Sequence, residues 1–246
     1  MLRQPLAAAV LLLLVVLACL SWRRWPNLLF DYGRELYVPW RLSAGQVLYT
    51  EVSYFNGPLS PYYHALLFKA FGVSWTVVIV SSLAVVAAIT GGLYAGLGRR
   101  LDPLTAAAAC VTFLSGFAFN LVRDGNYTFL CPYSHEMTHG VLLSLAMLVL
   151  LHRGSEDRRQ GWSLAAGACF GLVWLTKAEI ALAAGCAASA SLWLLGSSRD
   201  SPGAGSARGK AAASFAGGAA LVIAGAGALL WLAGGRPAVV QGLGGS

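Results

Sequence analysis

Two histidines and a glutamate stand at a spacing that metal chemistry uses, in the stretch CPYSHEMTHG at residues 131–140. His135 and His139 are four residues apart, so a helix would place both on one face, with Glu136 beside them to activate water. This H-E-x-x-H pattern is typical of zinc proteases, in which a third protein ligand completes the metal site and one position stays open. It specifies only three positions, and its meaning depends on where the chain places it.

The composition points to a membrane. Of the 246 residues, 57% are hydrophobic and only 11% are charged, whereas soluble domains carry about 25% charged residues. Apolar runs such as 6–20, 73–97 and 211–233 are each long enough, as helices, to cross a hydrocarbon layer of about 30 Å. The sequence therefore predicts an all-α, polytopic helical membrane protein. The net charge of +7 is then an orientation signal on membrane loops, and nucleic acid is not an expected partner.

About seven transmembrane helices are predicted, at 6–22, 73–97, 104–122, 137–151, 161–177, 179–196 and 211–233. We expect residues 1–246 to form a single membrane domain. Its first extracytoplasmic loop, 23–72, is amphipathic, and the Ser- and Gly-rich stretch 196–210 is expected to be a flexible cytoplasmic loop. Small residues crowd the last three spans, which favours close helix packing in lipid.

Positive charge predicts the orientation of these spans. The short loops GRRLDP and LHRGSEDRRQG are dense in arginine, as is typical of the cytoplasmic side, so the N-terminus is expected in the cytoplasm. Most ionisable groups at the ends of spans then fall on the outer side, where they are functional candidates by default. These are Asp31, Glu35, Glu51, His64, Arg123, Asp124, His135, Glu136, His139, Lys177 and Glu179.

The segment 30–72 is too polar to span the membrane and too aromatic to be a disordered loop. Its many tyrosines, with Trp40, suit a membrane surface, where each ring has one polar and one apolar end. Residues 31–44 are predicted to form a short helix lying on the membrane, with the acids near its start. Gly57-Pro58 predicts a turn, and a second helix is expected over 59–71.

The order of motifs in this segment carries a resemblance. An acid just after the first span is followed by AGQVLYTE, then NGPLSPYY, then FGVS, and later by GLVWLTKAE at 171–179. This order resembles the first extracytoplasmic loop of the GT-C class of integral-membrane glycosyltransferases. Within that class it is similar to bacterial relatives of protein O-mannosyltransferases, aminoarabinose transferases and Rgt-type sugar transferases. The resemblance covers roughly residues 1–200.

The resemblance implies a reaction: transfer of a sugar from a polyprenyl-phosphate donor to an unidentified lipid, glycan or protein acceptor at the outer face. Asp31 matches the loop-one acid that acts as catalytic base or organises a metal, and Glu35 supports it. A carboxylate within hydrogen-bond reach can take the proton of the attacking hydroxyl, and a cation must stabilise the lipid phosphate that leaves. The resemblance further implies these candidate contacts: Lys177 and Arg123 for the phosphate, Asp124, His135 and Tyr133 for substrate, and Glu136 and His139 for a divalent metal ion, the one candidate cofactor.

The resemblance also implies a location, the bacterial inner membrane, with membrane lipid as a partner. The chain departs from its relatives in two ways. Many of them have Asp-Glu where this sequence has Asp31-Tyr32, and most carry more spans, so we expect this chain to be the N-terminal part of a longer enzyme.

Two other classes of function stay open. In a membrane metalloprotease, Glu179 would be the one downstream third ligand on the outer side, because His152, Glu156, Asp157 and Asp200 are expected at the cytoplasmic face. The other class is a transporter or a non-catalytic membrane protein, in which Tyr133, Ser134 and His135 only cap and anchor the fourth span.

Overall fold

The computed structural model describes residues 3–22, 32–120, 128–157, 159–197 and 204–244. Within these ranges the chain is almost entirely helical and contains no β-strand, which confirms the predicted all-α fold. The helices of the described residues are α1 (Arg3–Ser21), α2 (Gly33–Ser43), α3 (Leu59–Phe71), α4 (Trp75–Leu97), α5 (Pro103–Phe113), α6 (His135–Asp157), α7 (Gln160–Trp174), α8 (Ala178–Ser197) and α9 (Ala204–Gly244). A π-helical turn, Leu114–Ala118, extends α5.

Among the described residues, four helices are long and apolar enough to cross a membrane. They are α1, α4, α6 and the part of α9 at Arg208–Gly244. Two shorter apolar helices lie at Pro103–Ala118 and Ala178–Leu194. Together with α7, these helices correspond to the seven predicted spans, and the chain is a polytopic helical membrane protein.

The predicted linker at 196–210 overlaps two helices. α8 continues to Ser197, and α9 already begins at Ala204. Alanine-rich sequence explains the early start of α9, since alanine has the highest helix propensity. Residues 198–203 lie outside the described part of the chain.

The chain divides into two compact units. The first contains Met1–Ser43 and Tyr63–Thr138, and the second contains Ala44–Tyr62 and His139–Ser246. Each unit has a hydrophobic core of its own.

In the first unit, α1, α4 and α5 pack around a core that includes Val86, Cys110 and Leu114. The hydroxyl of Tyr94, near the end of α4, donates to the backbone oxygen of Arg3 at 2.6 Å. The start of α1 and the end of α4 therefore lie at the same side of this unit, as expected for two spans that cross in opposite directions.

Helix α2 has two different faces. Glu35, Val38 and Leu42 are buried, whereas Tyr37 and Trp40 are about half exposed. Residues four apart share a face of a helix, so this spacing explains the amphipathic character. The predicted helix over 31–44 is confirmed at 33–43, and the second predicted helix is confirmed as α3.

In the second unit, α7 and α9 approach closely along glycines. A Cβ atom at Gly218 would strike the backbone oxygen of Leu164, and one at Gly167 would strike that of Phe215. Helices α6 and α8 complete this core with Met147 and Ala184, among others. The close packing predicted from the small residues is thus present between α7 and α9. Glycine has no side chain, so the two backbones can approach each other at these positions.

Candidate functional site

Glu35 is the central group of a buried cluster in the first unit. Its side chain lies on the inner face of α2 and is 4% exposed. Oε2 accepts hydrogen bonds from the backbone nitrogen of His135 at 3.2 Å and from Nδ1 of the same residue at 2.8 Å. Oε1 accepts from Nε and Nη2 of Arg34, each at 3.2 Å. Both carboxylate oxygens are therefore engaged.

These contacts decide the charge of Glu35. Burial by itself disfavours the carboxylate, but the hydrogen bonds from His135 and the positive charge of Arg34 outweigh it and hold the pKa of Glu35 below its ordinary value. Glu35 is thus an anion at neutral pH. Because Oε2 faces Nδ1, the His135 ring carries a proton at Nδ1 in this arrangement.

The same contacts connect α2, the helix of the first loop (called the loop-one helix below), to the start of α6. His135 is the first residue of α6, and its backbone N–H is one that no intrahelical carbonyl can satisfy. The Glu35 carboxylate satisfies it and also complements the positive end of the helix dipole. Nη2 of Arg34 adds a bond to the backbone oxygen of Tyr133 at 3.1 Å, and its guanidinium lies 5.5 Å from the centre of the Tyr133 ring.

Aromatic rings enclose His135. The ring of His64, on α3, meets it edge to face with 4.4 Å between centroids. The ring centroid of Tyr32 lies 6.1 Å from that of His135, and the Tyr32 ring stacks on Trp75 with 5.4 Å between centroids. His64, His135 and Tyr32 are all at most 1% exposed.

Beside this group, Tyr32 neighbours Cys131. Burial raises the pKa of Tyr32 well above its ordinary value. Burial likewise raises the pKa of the Cys131 thiol to about 12. Neither group ionises at neutral pH, so the pair adds no charge beside Glu35.

Glu136, the glutamate of the H-E-x-x-H pattern, is completely buried. Its Oε2 accepts a hydrogen bond from the hydroxyl of Ser134 at 2.6 Å. The side chain thus folds back on the residues that precede α6.

A shallow pocket of about 310 Å³ opens between α2 and the start of α4 in the first unit. Its walls include the rings of Tyr37, Trp40 and Trp75. No charged side chain lines it.

In the second unit, two of the sequence motifs that carry the resemblance, NGPLSPYY and GLVWLTKAE, contact each other. The backbone nitrogen of Gly57, from NGPLSPYY, donates to the backbone oxygen of Thr176 at 2.7 Å. The backbone nitrogen of Leu59 donates to the backbone oxygen of Leu175 at 3.0 Å. A Cβ atom at Gly57 would collide with the backbone oxygen of Leu175. Only glycine fits this approach, which explains the residue type.

Lys177 follows Thr176 on the turn between α7 and α8. Its ammonium lies 3.6 Å from the carboxylate of Glu179, and the lysine side chain is 21% exposed while that of Glu179 is 71% exposed. Such a solvated ion pair is weak. The NGPLSPYY segment of the first loop therefore lies directly against the turn that carries Lys177, the predicted phosphate-binding residue.

His139 has a partner of its own in the second unit. Its Nδ1 and the hydroxyl of Ser60, at the start of α3, are 2.9 Å apart, and both side chains are buried. The next residue, Gly140, packs against Thr176 and Ile180 with no room for a larger side chain.

The H-E-x-x-H residues thus have separate surroundings. His135 contacts Glu35, Glu136 contacts Ser134, and His139 contacts Ser60. Within the described ranges, no three or more histidine, cysteine, aspartate or glutamate side chains are arranged to hold a metal ion. The prediction that Glu136 and His139 serve a metal gains no support from this geometry and stays a prediction.

Three predicted site residues, Asp31, Arg123 and Asp124, lie outside the described residues. Of the others, Glu35, His135, Glu136 and Tyr133 lie in the first unit, and Lys177 and His139 lie in the second. Sequence reasoning did not single out His64 or Ser60 as partners of the two histidines. No local signal could have found them, since each is about 70 to 80 residues away from its histidine.

The helical, apolar architecture of the described residues defines a polytopic helical membrane protein. Residues 56–204, more than half of the chain, match the family described as dolichyl-phosphate-mannose-protein mannosyltransferase. The chain belongs to this family, and it is a membrane glycosyltransferase of the mannosyltransferase type. No curated protein and no solved structure matches the chain.

Proposed function

We propose that this protein transfers a sugar from a polyprenyl-phosphate donor to an acceptor hydroxyl at the outer face of the bacterial inner membrane. Membership of the mannosyltransferase family is the observation that carries this proposal. The proposed donor follows from the family, whose name specifies dolichyl-phosphate mannose.

The proposed reaction assigns the base to Asp31. Its carboxylate takes the proton of the acceptor hydroxyl while the hydroxyl oxygen bonds to the anomeric carbon of the sugar. The bond from that carbon to the phosphate oxygen breaks, and the polyprenyl phosphate leaves with the bonding electrons. Glu35, the carboxylate of α2, does not suit this task, because its two oxygens accept hydrogen bonds from Arg34 and His135.

The leaving phosphate needs positive charge. Lys177 is the described candidate, on a turn that begins α8 and that Gly57 holds by a hydrogen bond to Thr176. An ammonium placed where charge develops stabilises the transition state. Arg123 is a second candidate, and Asp124 and Tyr133 stay candidates for substrate contacts. A divalent metal ion stays a prediction, and the proposed steps need none.

A transfer assay tests the proposal. The full-length protein in proteoliposomes is supplied with polyprenyl-phosphate mannose and membrane acceptors, and sugar transfer is measured for the wild type and for Asp31→Asn. We expect Asp31→Asn to lower transfer about 100-fold or more, the usual scale of general base catalysis. Asp102→Asn is the matched control, because asparagine still caps α5 as Asp102 does.

The assay also separates the competing classes of function. Full transfer by Asp31→Asn would contradict the assignment of the base. A Glu136→Gln variant that lost a proteolytic activity while sugar transfer stayed intact would favour the metalloprotease class instead.

A further inference from the structure

We infer that Glu35 and His135 are a positioning pair for glycosyl transfer: they hold the loop-one helix α2 to the start of α6, and neither exchanges a proton with substrate. The inference rests on the proposed transferase function. It replaces the earlier expectation that Glu35 shares the catalytic task with Asp31 and that His135 contacts substrate.

The geometry of Glu35 argues against a role as proton acceptor. A general base needs a lone pair within hydrogen-bond reach of the substrate proton. Both oxygens of Glu35 already accept two hydrogen bonds each, from Arg34 and from His135. The side chain is 4% exposed, so an acceptor hydroxyl would first have to displace these donors.

The geometry of His135 argues for a fixed orientation. Its Nδ1 and its backbone nitrogen bind the same carboxylate oxygen, at 2.8 and 3.2 Å. The rings of His64 and Tyr32 hold its imidazole from the sides. The residue is 1% exposed, which leaves no open path to a soluble or lipid substrate in this arrangement.

The connection joins segments far apart in the sequence. Glu35 and His135 are 100 residues apart, and Arg34 and Tyr133 are 99 apart. Three groups of α2 and α6 therefore fix the orientation of one helix against the start of the other: the carboxylate, the guanidinium and the imidazole. Buried polar contacts of this kind select one arrangement over others, because a shifted helix would leave charges without partners.

The orientation of α2 matters for the reaction because Asp31 lies close to α2 in the sequence. Asp31, the proposed base, precedes Glu35 by four residues, and Tyr32 between them is fully buried. A misplacement of about 1 Å, caused by a change outside the reacting groups, can lower the rate about 100-fold. The pair therefore acts through the placement of the loop-one segment.

Replacement of the imidazole by an amide tests the inference. Asparagine can present its Nδ2 near the position of the histidine Nδ1 and still donate to Glu35, but it cannot carry a proton back and forth. We measure kcat and the KM for polyprenyl-phosphate mannose in the full-length protein for Glu35→Gln, His135→Ala, His135→Asn and the double variant Glu35→Gln/His135→Ala.

If Glu35 and His135 are a positioning pair, the kcat and KM values of the variants should follow one pattern. His135→Ala and Glu35→Gln should each lower kcat about 100-fold with KM within about twofold of the wild type. His135→Asn should recover kcat to within about tenfold of the wild type. The double variant should be no worse than its worse single parent, because the two residues act as one unit.

The matched control is a second Glu–His pair, which lies within α6. His152 and Glu156 are 3.0 Å apart, with side chains 36% and 63% exposed, so His152→Asn and Glu156→Gln should leave kcat unchanged. Where Glu35→Gln yields too little folded protein, the comparison of His135→Asn with His135→Ala decides alone.

The outcomes separate the inference from the proposed function. Loss of kcat in His135→Asn as large as in His135→Ala, or full activity of Glu35→Gln, would overturn the positioning role while sugar transfer by the wild type stands. A wild-type protein that transfers no sugar from polyprenyl-phosphate donors would overturn both.

Discussion

The surroundings of Glu35 in the structure differ from those that its sequence position suggests. On the sequence it is one more acid at the outer side, one helical turn after Asp31. In the structure it is buried and accepts four hydrogen bonds, two from Arg34 and two from His135. Its charge is favourable only because these partners outweigh the cost of desolvation.

The lowered pKa of Glu35 predicts a pH dependence of stability. A carboxyl whose folded pKa lies below its unfolded pKa, about 4.3, stabilises the fold above that value. The contribution is lost as the pH falls through the folded pKa. We expect the wild type to have a higher Tm than Glu35→Gln at pH 7, and the difference to shrink on acidification below about pH 4.

Thermal unfolding in detergent between pH 7 and pH 3 measures this difference. Glu156→Gln, which removes an exposed carboxylate of α6, should change Tm little at any pH. A difference between wild type and Glu35→Gln that grows on acidification would contradict the sign.

A second prediction at this scale concerns Cys131. Its burial and raised pKa of about 12 leave almost no thiolate at pH 8. We therefore expect Cys131 to resist a maleimide in the folded protein and to react once the protein is denatured. Mass spectrometry of the labelled peptide measures this. Rapid labelling of Cys131 in the folded state would show that the thiol is accessible.

At the scale of elements, the contact between the NGPLSPYY segment and the turn after α7 links two motifs that lie about 120 residues apart. Two backbone hydrogen bonds make this contact, at Gly57 and Leu59. A backbone contact of this kind depends on the absence of a side chain, so its sensitive residue is a glycine.

Gly57→Ala is expected to disrupt this contact. The new Cβ would collide with the backbone oxygen of Leu175, which cannot move aside as a flexible side chain could. We expect a loss of about 2 kcal/mol or more of unfolding free energy, in the range of overpacking changes, and reduced transfer. Gly91→Ala, with open space around it in α4, is the matched control and should be neutral or slightly stabilising. Equal Tm values for the two variants would show that the turn adapts.

At the scale of the whole molecule, the protein is a polytopic membrane glycosyltransferase, and the expected orientation decides which loops meet the donor. The N-terminus is predicted in the cytoplasm on the basis of arginine-rich short loops. Within the first unit, the contact between Tyr94 and Arg3 brings the start of α1 beside the end of α4, so the prediction assigns these two ends to the same side of the membrane.

Cysteine labelling tests the orientation. In a background without the native cysteines, Glu51→Cys and Arg99→Cys introduce thiols at exposed positions of the first loop and of the end of α4. A membrane-impermeant maleimide should label Glu51→Cys in intact spheroplasts and Arg99→Cys only after permeabilisation. The reverse pattern would mean that the predicted orientation is wrong.

Local sequence patterns were enough to predict the membrane class, the positions of most helices and the resemblance to a glycosyltransferase family. Hydropathy, turn residues and helix propensity act over a few residues, so they can be read locally; the helix at 59–71 was predicted to the residue. The start of α9 was predicted less well, because its first turns are polar and glycine-rich as well as alanine-rich.

The partners of the two histidines in the H-E-x-x-H pattern are visible in the packed structure alone. Their spacing is compatible with a metal site, but their partners come from α2 and α3, many tens of residues away. Which side chains meet across such distances depends on the packing of whole helices, and no local pattern encodes it. That packing makes Glu35 a buried anion that binds His135, and it places the NGPLSPYY segment against the turn of Lys177.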